Sequence, residues 1–150
     1  MHRFVASGFG AGLILPKLRN GDPGGSGTIG AAVGLAVAWL LSDAAWWMVA
    51  IVAAGAALLS LWSARPFASD GSDPGWVVMD EIAGMLVAGI GLGGGPLLVA
   101  FVVFRVADIT KRFPGVAAAE RLPGAAGITA DDLVAGVWGL AAGWASTLAF

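Results

Sequence analysis

Five carboxylates stand out in this chain: Asp80, Glu81, Asp108, Asp131 and Asp132, each at the edge of a long apolar run. A carboxylate near hydrocarbon is costly unless it pairs, hydrogen-bonds or binds a cation. A set of oxygen donors without His or Cys is a hard-ligand set, suited to Mg²⁺, Mn²⁺ or Ca²⁺ rather than zinc. The chain has no Cys, which removes a disulfide framework, a thiolate nucleophile and a zinc-thiolate site. Its one His is His2, near an end expected to fray, so histidine acid/base chemistry and His metal clusters are also set aside. Any reaction here must run on carboxylates, Lys, Arg, Thr, Ser and backbone groups.

The densest group of charges is F-R-V-A-D-I-T-K-R-F-P, Phe104 to Pro114. On a helix, Asp108 lies about 60° around from Arg105, Lys111 a further 60° or so, and Arg112 back near Arg105. One face therefore offers an acid among three bases. The chemical reading is that the acid holds a metal while the bases hold phosphate oxygens; the plainer one is a snorkelling belt of internal ion pairs at a membrane surface. Asp131 and Asp132 have a plain reading too, as helix caps. The stretch G-D-P-G-G-S-G-T-I-G, Gly21 to Gly30, ends at an expected helix N-terminus, where free N–H groups and the helix dipole favour an anion. It is not a P-loop, because no Lys follows the last Gly.

These residues must be positioned by mostly apolar elements. Of 150 residues, 58% are hydrophobic and 12% charged, with a mean hydropathy of +0.85, which points to one small membrane-embedded domain. The net charge of −2 argues against a nucleic-acid partner. Residues 4 to 15 predict a short interfacial helix ended by Pro16, read as mature protein rather than a signal peptide. Thr28 is the expected N-cap of the run Ile29 to Leu41. Ala44 to Trp62 is close to the roughly 20 residues that cross a bilayer, and the two runs form a helical hairpin with Asp43 at its tip. Trp46, Trp47 and Trp62 suit the two interfaces. Ser63 to Gly75, with Arg65, Asp70 and Asp73, is a polar connection.

One straight helix from Glu81 to Asp108 would separate those carboxylates by about 40 Å, too far to share a site. A reversal at Gly93 to Pro96 instead predicts two antiparallel helices, roughly Trp76 to Leu92 and Pro96 to Phe113, each partly embedded, with charged ends side by side. A last helix, capped by Thr129, Asp131 or Asp132, runs to Phe150. Lys17, Arg19, Arg65, Arg105, Lys111, Arg112 and Arg121 then fall on one side, opposite Asp43 and the Gly93–Gly95 turn, and by the positive-inside rule that side is cytoplasmic. The expected fold is all-α: a small polytopic membrane bundle with short or half-embedded helices and a polar site on its cytoplasmic face.

Three segments, V-V-M-D-E-I-A-G-M, F-V-V-F-R-V-A-D-I-T-K-R-F-P and G-A-A-G-I-T-A-D-D-L-V-A-G-V, resemble in order and spacing the signature segments of the phosphatidylglycerophosphatase A family. The N-terminal G-F-G-A-G-L and G-T-I-G are similar to its first segment. The resemblance implies a Mg²⁺-dependent helical lipid phosphatase of the bacterial inner membrane, converting phosphatidylglycerophosphate to phosphatidylglycerol. By position it places the family's acids on Asp80, Glu81, Asp108, Asp131 and Asp132, its bases on Arg105 and Lys111, and its Gly-Thr turn on Gly27 and Thr28. Where the family has Pro directly after the Lys, Arg112 follows here, which predicts a slightly longer helix. Pro23 is displaced from the Gly-Thr turn, Ala31 replaces a Ser, and a double Gly is reduced to Gly124.

The reading that joins these observations is metal-assisted phosphomonoester hydrolysis, with one or two Mg²⁺ ions on the five carboxylates and Arg105, Lys111 and the Gly27–Thr28 turn on the phosphate oxygens. Partners are then the phospholipid substrate and the bilayer, with self-association into a homo-oligomer left open. A small cation transporter or channel is the alternative, although it would want acids near mid-span rather than at helix ends. A lipid phosphotransferase of the CDP-alcohol type lacks its D-G-x-x-A-R motif here, and a noncatalytic scaffold gives no reason for acids at three helix ends.

Overall fold

The computed structural model describes residues 1–68 and 74–149; Asp70 and Asp73 of the polar connection, and Phe150, lie outside the described residues. The described residues are helical and contain no strand. In order they form α1 (His2–Ala6), a 3₁₀ turn at Ala11–Leu13, α2 (Ile14–Leu18), α3 (Ser26–Leu40), α4 (Trp46–Ala64) with a 3₁₀ turn at Arg65–Phe67, α5 (Met79–Ala88), α6 (Gly94–Thr110), α7 (Val116–Glu120) and α8 (Ala125–Ser146).

The short helix α5 is the centre of the packing. It touches α3, α4 and α8, and Met79, Ile82, Ala83, Met85 and Leu86 on it are all buried. The expected hairpin of α3 and α4 exists in connectivity, but those two helices lean on α5 rather than on each other. The reason is residue size. At the α5–α8 crossing, Gly136 lies against the Gly84 carbonyl so closely that a Cβ would collide with it, and α5 therefore nests in α8 backbone to backbone.

On α4 the largest apolar side chains point outward. Along it the buried positions are Val49, Ala53, Ala56, Ser60, Ser63 and Ala64, while Trp47, Ile51 and Leu58 are exposed. This inverts the pattern of a water-facing amphipathic helix and suits a hydrocarbon surround. With its 3₁₀ extension, Trp46–Phe67 is the one helix among the described residues long and apolar enough to cross a membrane; α3 is apolar but has only 15 residues. A buried bond of 2.8 Å between the Ser60 and Thr129 hydroxyls ties α4 to α8.

The reversal between α5 and α6 occurs at residues 89–93, where Gly93 lies against Ser42 of the turn after α3 and Trp144 Nε1 near the end of α8 donates to the Ile90 carbonyl at 3.2 Å. The polar segments gather at the opposite end of the bundle.

Several expected boundaries are corrected. The N-terminal segment is two short helices broken at Ser7–Gly10, where Gly8, Phe9 and Gly10 have positive φ. Pro16 lies within α2, in its first turn, where its missing N–H is not needed. Helix α3 starts at Ser26 behind a left-handed Gly25, so Thr28 is inside the first turn and is not the cap. Helix α6 ends at Thr110 and does not run on: Lys111 adopts φ 54°. Helix α8 begins at Ala125 behind Gly124, which puts Asp131 and Asp132 in the helix interior rather than at its cap. Trp46 and Trp47 are exposed at the start of α4, as an interface needs, but Trp62 is half-buried and stacks on His2, with ring centroids 4.1 Å apart.

Candidate active site

Four helices deliver the site. The first turn of α5 carries Asp80 and Glu81, the last turn of α6 carries Asp108, the second turn of α8 carries Asp131 and Asp132, and the first turn of α3 carries Gly27 and Thr28. Asp80, Asp108, Asp131 and Asp132 are each no more than 8% exposed.

The carboxylates form two overlapping trios. One oxygen each from Asp80, Glu81 and Asp132 lie within 4.8 Å of one another, and so do one each from Asp108, Asp131 and Asp132. Asp132 belongs to both.

Two bases are threaded through this cluster. Arg105 donates from Nη1 to Asp108 Oδ2 and from Nη2 to Thr28 Oγ1 at 3.4 Å. Lys111 donates from Nζ to Asp108 Oδ1 at 3.1 Å and also to Asp131 Oδ2. Arg112, the third base of the expected face, is exposed and outside the pocket, because the chain has left the helix by then; its backbone N–H donates to Thr110 Oγ1 at 3.4 Å.

These groups border an open cavity of about 490 Å³, lined by Gly27, Thr28, Glu81, Arg105, Asp108 and Lys111 together with the Gly-rich loop. Gly27 is required where it stands: a Cβ there would collide with Glu81 Oε1. Glu120 of α7 and Ile109 also line the cavity. Neither is marked in the sequence, since Glu120 is a lone acid in a mixed loop and Ile109 one apolar residue among many.

Electrostatics follow from burial. Burial pushes the Glu81 carboxyl up to about 7, with the Asp108 charge adding to it and the Asp80 hydrogen bond and Arg105 opposing. Asp132 is raised well above the usual carboxylate range, by burial and then by Asp108, Glu81 and Asp131. Asp131 is raised as well, because burial outweighs the attraction of Lys111. Burial alone would loosen the Lys111 proton, but its bond to Asp131 and the charges of Asp108 and Asp131 hold it more tightly than usual. Acids crowded out of water this way hold protons unless a cation compensates them.

The residues fit a hard divalent cation. All donors are oxygen, and within each trio they lie within 4.8 Å of one another, a spacing that Ca²⁺ at about 2.3–2.6 Å spans directly and that Mg²⁺ at about 2.0–2.1 Å reaches with a small side-chain adjustment. The buried Glu81 Oε2, Asp131 Oδ1 and Asp132 Oδ1 accept no hydrogen bond. An unmatched buried oxygen costs about 1–3 kcal/mol or more, and a bound cation removes that cost.

The chain is 30% identical over 145 residues to a protein of Bacteroides thetaiotaomicron whose name proposes a phosphatidylinositol-3-phosphatase, covering 89% of this chain and 86% of that protein. It is 29% identical over 140 residues to the phosphatidylglycerophosphatase A of Escherichia coli, covering 89% of this chain and 76% of that enzyme. No solved structure matches it. The family model described as phosphatidylglycerophosphatase A matches residues 4–147, end to end across the carboxylates and bases above, and the chain belongs to that family.

Proposed function

We propose that this lipid phosphatase hydrolyses the terminal phosphomonoester of phosphatidylglycerophosphate, using a Mg²⁺ site on Asp80, Glu81, Asp108, Asp131 and Asp132. The observation that carries the reading is the meeting of acids and bases at one cavity: Asp108 holds Arg105 and Lys111 beside the Gly27–Thr28 turn, with Glu81 on the cavity wall.

The cavity wall supplies phosphate recognition. Arg105 keeps a planar fork of donors, of which Nη2 already reaches Thr28, and a phosphate oxygen entering there meets guanidinium and hydroxyl together. Lys111 uses two N–H bonds on Asp108 and Asp131 and has a third for the phosphate. Water attacks phosphorus and gives its proton to a buried carboxylate, and the bond to the lipid alcohol oxygen breaks as that oxygen takes up a proton to leave as the alcohol. Burial makes the carboxylate a stronger base than a free one. The bound Mg²⁺ would supply charge neutralisation at the phosphoryl oxygens and help generate the nucleophile.

A lipid substrate is supported by the surface beside the cavity. Leu98, Val102, Val106 and Ile109 form an exposed apolar stripe along α6, and Ile109 borders the cavity itself. Headgroup and acyl chain thereby have adjoining surfaces. On this reading the bundle lies in the bacterial cytoplasmic membrane with several helices embedded, and the positive-inside rule supports a site at the basic, cytoplasmic end. A cation path is disfavoured by the same geometry, because Arg105 and Lys111 stand among the acids and would repel a permeating ion.

Inositol lipid is the second substrate reading, motivated by the name of the Bacteroides relative. Phosphate release by the purified protein in mixed micelles, from phosphatidylglycerophosphate and from phosphatidylinositol 3-phosphate, with Mg²⁺ and with chelator, tests all of it. Faster release from the first lipid, abolished by chelator, is expected. Release from the inositol lipid alone overturns the substrate assignment, and full activity in chelator overturns the metal site.

A further inference from the structure

The five carboxylates do not surround one point. Their oxygens resolve into two trios that share only Asp132, so one ion bound by Asp80, Glu81 and Asp132 leaves Asp108 and Asp131 to be satisfied by something else. The structure shows what satisfies them. Lys111 Nζ donates to Asp108 Oδ1 at 3.1 Å and to Asp131 Oδ2, bridging the two acids that Asp132 joins in the second trio. Arg105 takes the other oxygen of Asp108. No Lys or Arg makes an ion pair with Glu81 or Asp132 among the described residues, and the buried Asp132 Oδ1 and Glu81 Oε2 accept no hydrogen bond.

The backbone is bent to achieve this. Helix α6 stops at Thr110, and Lys111 caps it in the left-handed region at φ 54°, ψ 17°, a conformation uncommon for residues with a side chain. That cap is not glycine, which would adopt it more easily, and the side chain it carries is the one that bridges Asp108 and Asp131. Asn and Asp are the usual non-glycine residues at such positions, so the Lys is better explained by its ammonium than by its backbone preference.

Resting on the metal-dependent reading above, we propose that the site takes a single divalent cation, at Asp80, Glu81 and Asp132, and that the Lys111 ammonium fills the second position, between Asp108 and Asp131. The two trios are then unequal by construction. The first is open to an exchangeable ion, and the second holds a cation that is part of the chain. Asp132 faces both charges, and neutralising it would weaken both.

Mn²⁺ is a suitable probe, since it takes the same oxygen ligands and is visible by electron paramagnetic resonance. Equilibrium dialysis of the full chain in detergent should give one Mn²⁺ per chain with a mononuclear spectrum. Lys111→Met should raise the stoichiometry to two and introduce spin coupling, because it frees the second trio without adding a ligand. Asp80→Asn should lose the wild-type ion, whereas Asp131→Asn should retain it. Two ions on the wild-type chain overturn the proposal and leave the metal-dependent function standing, and this measurement needs no variant to fold. One ion that is lost with Asp131→Asn but kept with Asp80→Asn also overturns it, by placing the ion in the other trio. Absence of saturable Mn²⁺ binding, together with phosphatase activity that persists in chelator, overturns the metal-dependent reading itself.

Discussion

Gly27 of α3 packs against the Glu81 carboxylate of α5 with no room for a side chain between them. The Gly-rich segment and the first acidic pair are thus in direct contact, although 54 positions separate them (81 − 27). Gly27→Ala is expected to cost about 1–3 kcal/mol of stability by overpacking and to lower phosphatase activity at least tenfold by moving Glu81. Adding Glu81→Asp, which shortens the opposing side chain, should restore much of the stability but not the activity. Thermal denaturation and phosphate release on the single and double variants check this; additive stability losses would show that the two residues do not meet.

Asp108 is the acid on which both bases converge. Asp108→Asn leaves two partly buried cations without their shared partner, a change of the kind that costs about 3–5 kcal/mol in a buried pair, reduced here because Lys111 retains Asp131 and is partly solvated. Activity should fall by about a hundredfold or more through misplaced phosphate donors. Circular dichroism separates the two effects, and a folded Asp108→Asn protein with wild-type turnover would contradict its place in the site.

Cation and proton compete for the same carboxylates. Glu81 keeps its proton up to about 7 in the folded chain against 4.5 as its ordinary value, and Asp131 and Asp132 shift in the same direction. Between those values the folded state holds more protons than the unfolded one. Without divalent cation, stability is therefore fullest below about 4.5 for this group and declines as pH rises through about 7. Melting temperatures in chelator should fall across that window, and Mg²⁺ should raise them most at its alkaline end, where it meets the least competition from protons. A melting temperature in chelator that climbs with pH would refute the assignment.

The Ser60–Thr129 bond links α4 to α8 one turn before the Asp131–Asp132 pair, with both hydroxyls buried. Thr129→Val strands the Ser60 hydroxyl and should cost about 1–3 kcal/mol. Thr129→Ser should cost less, since the bond is kept and only a methyl is lost. The double change Ser60→Ala with Thr129→Val should cost less than the sum of the single changes, as paired groups do. Denaturant titration in detergent measures all four.

Composition, hydropathy and the acid–base inventory were fully legible before any folding. So was the need for a reversal between Glu81 and Asp108, because a helix rises about 1.5 Å per residue and a straight one cannot bring its ends together. The family motifs were legible as well, since each is a short local string. Helix starts were not. Ser26 and Ala125 begin their helices behind glycines at positive φ, while Thr28 and Asp131, the better caps by residue type, lie inside. A capping preference is worth about 1 kcal/mol, less than the packing of a helix against its neighbours. The family motif already named Arg105 and Lys111 as the bases, but only the tertiary structure shows how the chain turns Arg112 away from them, through the left-handed Lys111 that ends α6. Tertiary structure alone decided that Asp132 belongs to both trios, because that depends on where α8 passes between α5 and α6. A sequence specifies which charges a chain carries, but the cost of burying them is set by what the other helices place within a few ångströms.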